Sequence, residues 1–476
     1  MRECNPTKII CTIGPASDSP ETLAQLLQAG MDVARLNFSH QDHDSAEILV
    51  RRLRAAAEQA GRHLAILGDL QGPKIRTETL VGGQPVRLQS GQELTITTET
   101  VTGTAERVST SYQYLPQDVK PGDHILLDDG LISLEVVAAS EHEVRTRVVT
   151  GGLLGEHKGI NLPGVKISAP SLTEKDRADL QFALEQGLDY IGLSFVRSAA
   201  DVRELRDLIA ANGGGAAVVA KIEKPEAVAE IEKIVELADA VMVARGDLGV
   251  EMPPEEVPIL QRRFIARCAA RRKPVIIATQ MLESMREHPR PTRAEASDVA
   301  TAVFEGADAV MLSEETAVGQ YPVESVGMMQ RICLAAEREV MAGRHLRVEA
   351  GEGEFASYAD AIARSAAELA EAAGAAAIVA FTQSGATARL ISMCRTRVPV
   401  FAATPLVATA RRCNLYWGVQ SVLIAPVSST DEMIASVAAT MKAAGAVQPG
   451  EAIVITAGTP VGQAGSTNMV KLQSIL

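Results

Sequence analysis

Eight short apolar runs, separated by helical stretches, limit the fold of this sequence more than any other feature. Three lie near the start: TKIICTIG (7–14), DVARLNF (32–38) and LAILGDL (64–70). Five lie further on: YIGLSFV (190–196), AAVVAKIE (216–223), AVMVARGD (240–247), PVIIATQ (274–280) and AVMLSEE (309–315). Runs of strand length with helices between them, such as 20–29 and 43–60, predict parallel strands covered on both faces. Eight such units close into a barrel. The alternative, an open doubly wound sheet, needs a glycine-rich phosphate loop after its first strand. CTIGPAS (11–17) has one glycine and no GxGxxG, which favours the barrel.

Between the third and fourth runs the pattern changes. Residues 84–150 are rich in Val, Thr and Leu, with turn signals at PGD (121–123) and DDG (128–130). LISLEVV (131–137) and EVRTRVV (143–149) read as adjacent antiparallel strands of a small inserted β domain. The α/β rhythm resumes at SLTEKDRADL (171–180), where Ser171 or Thr173 caps a helix. After a low-complexity bridge, EAGEGEF (349–355), four more strands are expected at 376–381, 398–403, 419–425 and 451–457. The expected architecture is α/β: a (β/α)8 TIM barrel (1–72 and 171–344), an inserted small β-barrel lid (73–170) and a C-terminal α/β regulatory domain (345–476).

Aromatic residues are only 3% of the chain, so Ala, Val, Ile and Leu must fill these cores. The net charge of −13 argues against nucleic acid or an anionic membrane as partner. Small anions remain open to it if cations gather at one place. The six cysteines (Cys4, Cys11, Cys268, Cys333, Cys394 and Cys413) include no CxxC pair, as expected for reduced thiols in a cytoplasmic protein. MRECNPTKII has no apolar signal core, and no run reaches membrane-span length.

In such barrels chemistry collects at the C-terminal strand ends. Those ends carry Arg35, Asn37, Ser39 and His40; Asp69, with Lys74 and Arg76 after it; Ser194 and Phe195; Lys221 and Glu223; Arg245 and Asp247; Thr279; and Ser313 and Glu315. Any one of these alone reads as a solvated rim residue. Together they put two acids and several bases around one mouth. Glu223 and Asp247, on neighbouring strands, suit Mg²⁺, which takes one or two carboxylates and leaves positions for substrate oxygens. Arg35, Arg76 and Lys221 suit a phosphoryl group in transfer, a reaction that needs mainly positioning and charge neutralisation. Neither a Cys–His nor a Ser–His–Asp arrangement is evident, which argues against acyl transfer.

The strings that hold these residues closely resemble pyruvate kinases. They are TKIICTIGPAS (7–17), ARLNFSH (34–40), GDLQGPKIR (68–76), GINLPG (159–164), KIEK (221–224), ARGDLGVE (244–251), ATQMLESM (278–285), PTRAEASDVA (291–300) and MLSEETAVGQYP (311–322), and the resemblance spans essentially the whole chain. It implies Mg²⁺-dependent (or Mn²⁺-dependent) phosphoryl transfer from phosphoenolpyruvate to ADP, giving pyruvate and ATP in the last step of glycolysis. Lys221 then lies on the phosphoryl path, and Glu223 and Asp247 hold the metal. Arg35 and Arg76 contact the nucleotide phosphates and the transferring group. Lys158 reaches the nucleotide when the inserted domain closes and excludes water. Pro15 and His40 lie where the family packs the base and ribose, although Pro15 also reads as a plain loop proline. The amides of Arg245, Gly246 and Asp247 receive the substrate carboxylate. Thr279, through water with Ser313 and Glu315, protonates the enolate carbon. Some members carry a lysine after the SxET motif; here that position is Val318, and no role is carried to it.

Two sites depart from, or extend, that pattern. Many members read DTKGPEIR where this chain reads DLQGPKIR (69–76). In those enzymes residues matching Asn37, Ser39, Asp69 and the Leu70 carbonyl bind an essential K⁺. The Lys74 ammonium is expected to replace that ion, so that added K⁺ is not required; with Lys74 turned to solvent, K⁺ would still bind. In the C-terminal region, TQSGAT (382–387) follows a strand and opens a helix. It reads as a capped helix or as a phosphate cradle. The resemblance favours the cradle, with Thr382, Ser384, Gly385 and Thr387 binding a phosphorylated effector and AGTPVGQAGSTN (457–468) closing over it. It also implies a homotetramer. Competing functions are a Mg²⁺-dependent barrel lyase, which has no need of Lys158 or a lid, and a catalytically silent sensor, which has no need of the intact mouth.

Overall fold

Alternation along each barrel strand decides which side chains reach the mouth. A computed structural model describes residues 6–343, 357–460 and 467–476. The bridge 349–355 and residues 461–466 of the 457–468 loop lie outside the described residues. The barrel strands are Lys8–Thr12, Val33–Asn37, Ala65–Asp69, Tyr190–Leu193, Ala217–Ile222, Ala240–Ala244, Val275–Ala278 and Ala309–Leu312. They form a closed parallel barrel in sequence order, sealed where Lys8 pairs with Ala309.

Side chains along a strand point alternately to the two faces. One set, including Ile10, Val33, Ala65, Leu67, Val219, Met242, Ile276 and Met311, packs as the barrel interior. The other set, including Ile9, Cys11, Ala34, Leu36, Ile66 and Val218, packs outward against the helices. Extending the interior phase two residues at a time carries Val33 to Arg35 and Asn37, Leu67 to Asp69, and Val219 to Lys221 and Glu223. The same period that fills the core with Val and Leu delivers charged groups to the mouth.

Helix starts follow local chemistry. Ser19 and Asp42 cap Pro20–Ala29 and His43–Gln59 by accepting backbone N–H groups. Thr173, rather than Ser171, caps Glu174–Glu185, in a capping box with Asp176. Asp176 also accepts the Gly72 amide at 3.0 Å, so it braces the point where the chain leaves the barrel.

The inserted region forms a six-stranded sheet and a separate two-stranded one, a half-barrel rather than a closed barrel. Ile132–Ala139 pairs antiparallel with Glu143–Thr150, as the alternation predicts. Its core is aliphatic, with Leu94, Ile96, Ile125 and Leu134 fully buried. The C-terminal sheet runs Val419–Leu423, Val400–Thr404, Ala377–Phe381, Ala452–Gly458, Thr467–Ser474, the last strand antiparallel. That edge strand is absent from the sequence reading. Its text, TNMVKLQS, is mostly polar because one face is open to solvent. The C-terminal unit is tied to the barrel by Arg395–Asp308 (2.8 Å), by Trp417 Nε1 to Glu337 (2.7 Å) and by Lys8 Nζ to the Val419 carbonyl (2.8 Å). Among the described residues, no helix is long and apolar enough to cross a membrane.

Candidate active site

Lys221 sits at the centre of the mouth. Its ammonium lies 2.9 Å from Glu223 Oε1 and 3.2 Å from Asp69 Oδ2, and donates to Ser194 Oγ at 2.7 Å. Burial would lower its pKa, but Asp69 and Glu223 outweigh burial and hold it above the ordinary lysine value. The ammonium is therefore a fixed positive charge. Asp69 also takes Arg35, with Nε at 2.9 Å and Nη2 at 2.5 Å from Oδ2, while Arg35 Nη1 donates to Thr12 Oγ1 at 2.9 Å. Sequence reasoning did not identify Thr12 as a partner, although its place at the end of the first strand marks it.

Glu223 accepts the Phe195 amide at 2.7 Å through its second oxygen. Phe195 adopts φ +53°, a conformation costly for a bulky side chain, and this turns its N–H toward the carboxylate. Burial raises the Glu223 pKa; Lys221 opposes the rise and the nearby charge of Asp247 adds to it. Asp247 lies in the first turn of the short helix Arg245–Glu251 and is partly exposed. Among the described residues, no group of three or more His, Cys, Asp or Glu side chains converges on one point. Two carboxylates that repel one another, with space beside them, form the donor set of an oxygen-liganded divalent ion that keeps positions open. The residues present therefore fit Mg²⁺.

Thr279 lies against Gly246, the residue before Asp247. It holds φ +69°, with Gln280 at +55°, and its Oγ1 donates to the Ala278 carbonyl (2.6 Å) while accepting the Gly246 amide (2.7 Å). One of the three amides expected to receive a carboxylate is thus already engaged. Arg245 points the other way, to Asp298 (2.7 Å) and the Thr279 carbonyl (2.8 Å). Glu315 is buried, and its oxygens accept the Ser313 amide (2.7 Å) and the Leu282 amide (3.1 Å), joining the seventh and eighth strand ends. Burial raises its pKa. Among the described residues, Ser313 Oγ and Arg76 Nε are buried with no hydrogen-bond partner.

At the rim, Pro15 and His40 are exposed. Partial burial, and then the charges of Arg76, Lys74 and Arg35, lower the His40 pKa. Asn37 Oδ1 accepts the Ser39 amide at 3.1 Å, and Leu70 is buried. Lys74 is exposed, and Asp69 takes its cations from Arg35 and Lys221 instead. In the inserted domain Lys158 pairs with Asp128 at 2.9 Å. That domain touches the barrel through Asn161, which donates to Glu251 at 2.9 Å, and Glu251 also holds buried Lys224. In the C-terminal domain, Thr382 Oγ1 accepts the Gly385 amide (2.9 Å), Thr387 Oγ1 meets Thr467 Oγ1 (2.7 Å) and Ser384 is exposed.

Known proteins match this chain over nearly its whole length. Residues 4–326 match the family model for the pyruvate kinase barrel domain, and 360–473 the model for its alpha/beta domain. The chain belongs to the pyruvate kinase family. The pyruvate kinase of Geobacillus stearothermophilus is 49% identical over 472 residues, covering 98% of this chain and 80% of that protein. The pyruvate kinase of Bacillus licheniformis is 46% identical over 471 residues, with the same coverage. The crystal structure of a pyruvate kinase from Cryptosporidium parvum superposes with a TM-score of 0.90 at 38% identity, covering 99% of this chain and 96% of that one. Membership makes the chain a phosphotransferase of glycolysis. The pyruvate kinase family uses phosphoenolpyruvate and ADP, forms pyruvate and ATP, and requires a divalent metal.

Proposed function

We propose that the barrel mouth moves the phosphoryl group of phosphoenolpyruvate to ADP over Lys221, beside Mg²⁺ (or Mn²⁺) held by Glu223 and Asp247. The observation that carries this reading is the Lys221 ammonium, kept charged between Asp69 and Glu223 at the end of the fifth strand. Bound there, the divalent ion supplies positive charge to substrate oxygens. The chain supplies the rest. Lys221 offsets negative charge on the migrating group, which is worth most in a water-poor site. Arg35, fixed in direction by Asp69 and Thr12, and Arg76 position the nucleotide phosphates and the transferring group.

Amides of Arg245, Gly246 and Asp247 take the substrate carboxylate, Gly246 being released by Thr279 as it binds. Thr279 then orients a water that protonates the enolate carbon. Ser313, whose buried hydroxyl has no partner among the described residues, extends that chain, and Glu315 holds its backbone in place. Pro15 and His40 flank the base and ribose. Lys158 leaves Asp128 for the nucleotide when the lid closes and expels water.

We place the domain limits at 1–72 and 171–344 for the barrel, 73–170 for the lid and 345–476 for the regulatory domain. The enzyme works without added K⁺. Lys74 is exposed and is not paired with Asp69, the arrangement in which K⁺ would still bind; what supports independence from K⁺ is instead the charge of Arg76, Lys74 and Arg35 around His40, close to Asn37, Ser39, Asp69 and Leu70. A phosphorylated effector bound at Thr382, Ser384, Gly385 and Thr387 activates it, as a cytoplasmic homotetramer. A coupled assay for ATP formation from phosphoenolpyruvate and ADP tests the core reading. A lyase would release product without making ATP.

A further inference from the structure

The chain crosses between barrel and inserted domain twice, and both crossings touch one short segment, 195–197, just past the fourth barrel strand. On the outgoing side, Gly72 lies against the Phe195 ring. A Cβ on Gly72 would sit 2.9 Å from Phe195 Cδ2, and Gly72 has φ +68°. On the returning side, the Arg197 guanidinium donates to the Ile167 carbonyl (2.6 Å), the Ala169 carbonyl (2.8 Å) and Ser171 Oγ (2.9 Å). The same segment reaches the metal site, because the Phe195 amide donates to Glu223 Oε2 at 2.7 Å.

All three acceptors of the Arg197 side chain are uncharged. A planar guanidinium that spends its donors this way fixes direction rather than balancing charge. Its main chain is pinned as well. The Arg197 and Ser198 amides both donate to Asp201 Oδ2 at 2.9 Å, at the capping box that opens the helix Ala199–Ala211. Arg197 therefore ties the returning chain to the start of a barrel helix. Phe195, at φ +53°, lies between that anchor and the strand. Such a backbone conformation persists only where the surroundings over-determine it. Here they are Gly72, the anchored Arg197, and Lys224, whose Nζ lies 5.7 Å from the centroid of the Phe195 ring.

The consequence for Glu223 is geometric. Lys221 holds Oε1 and the Phe195 amide holds Oε2, so both carboxylate oxygens are aimed by the protein itself. Removing a group that orients a metal ligand typically costs roughly 10–100-fold in metal affinity.

We propose that Arg197 is a positioning residue for the divalent ion: by clamping the returning chain of the lid, it keeps the Phe195 amide on Glu223 and so sets the aim of that carboxylate. The proposal rests on the reading of Glu223 and Asp247 as the metal pair. Arg197 acts through Phe195 and not by touching the ion.

The test is Mn²⁺ binding to the full chain without substrate, followed by electron paramagnetic resonance. The variants are Arg197→Met, Arg197→Lys, Asn161→Ala and Glu223→Gln, each checked for folding by circular dichroism. Arg197→Met is expected to weaken Mn²⁺ binding by about tenfold or more. Arg197→Lys, which restores a donor but not the planar fork, recovers part of the loss. Asn161→Ala breaks the other contact of the lid, with Glu251, but leaves the Phe195 amide in place, so its Mn²⁺ affinity stays close to wild type. Ser171→Ala removes one of the three bonds and carries the same test, with a smaller loss, should Arg197→Met not fold. Wild-type Mn²⁺ affinity in folded Arg197→Met overturns the proposal, as does an equal loss in Asn161→Ala, which assigns the effect to the lid as a whole. In either case a loss in Glu223→Gln leaves the metal pair standing. Unchanged affinity in Glu223→Gln overturns the metal pair and the proposal with it.

Discussion

Lys221 Nζ and Glu223 Oε1 meet at 2.9 Å at the C-terminal end of the fifth barrel strand, two residues apart in the chain. Strand alternation alone brings them to the same face, in phase with buried Val219. The ammonium is held charged by its carboxylate neighbours, so it acts by electrostatics and not by giving up a proton. Five outcomes follow from this arrangement.

Glu223→Gln and Asp247→Asn each remove one of two carboxylates from the divalent site. Each should raise the Mg²⁺ concentration for half-maximal activity by at least about tenfold, equivalent to ~1.4 kcal/mol. Mn²⁺ binding followed by electron paramagnetic resonance checks this without relying on turnover. Unchanged Mn²⁺ affinity in both variants would rule the pair out.

Asp69 makes acid stability depend on the mouth. Burial would raise its pKa, but Lys221 and Arg35 outweigh burial and hold the carboxyl below its ordinary value. On acidification the unfolded chain therefore takes up the proton first. The stability so contributed is full above the unfolded pKa, about 4, and is lost as pH falls through the folded one. Asp69→Asn should cost ~3–5 kcal/mol at neutral pH, by leaving buried cations short of a counter-charge. It should also flatten the further loss of stability in acid. Urea unfolding at neutral and acidic pH measures both, and parallel losses in the two proteins would refute the assignment.

Thr279→Val removes the hydroxyl that holds the Gly246 amide and orients water. Turnover should fall by about 10²–10⁴, with Thr279→Ser retaining most of it. Exchange of pyruvate methyl protons with deuterated solvent isolates the protonation step. Exchange at the wild-type rate in Thr279→Val would place the proton path elsewhere.

Activity in buffer free of K⁺ should be near its value with K⁺ present, and Lys74→Glu should make it dependent on the ion. Lys74 is exposed, so its charge acts at the rim, together with Arg76, and not through a bond to Asp69. A many-fold rise in wild-type activity on adding K⁺ would contradict this.

Much of this was legible in the sequence because alternation and strand length are local. The barrel strands, the antiparallel pair around residue 140 and the charged strand ends can all be read from runs of text. What could not be read depends on distant partners. Asn161 and Glu251 are 90 residues apart, and nothing near either announces that they join the lid to the barrel. The strings place Arg35 and Asp69 at adjacent strand ends, but only side-chain geometry shows that Asp69 binds Arg35 and Lys221 and not Lys74. The edge strand Thr467–Ser474 escaped because a half-solvated strand lacks the apolar run that marked the others. Thr382 and Thr387 were read together from one short string, yet their hydroxyls serve different partners.

The most direct measurement is a single turnover of Lys221→Ala protein with phosphoenolpyruvate, ADP and Mg²⁺, followed by quenched-flow detection of ATP. Mg²⁺ and phosphoenolpyruvate affinities are measured alongside. The account predicts retained binding and a fall of at least about 10²–10³ in the rate of ATP formation, as expected when a charge contact of the transition state is removed. ATP formation at close to the wild-type rate, with the same ligands bound, would contradict it.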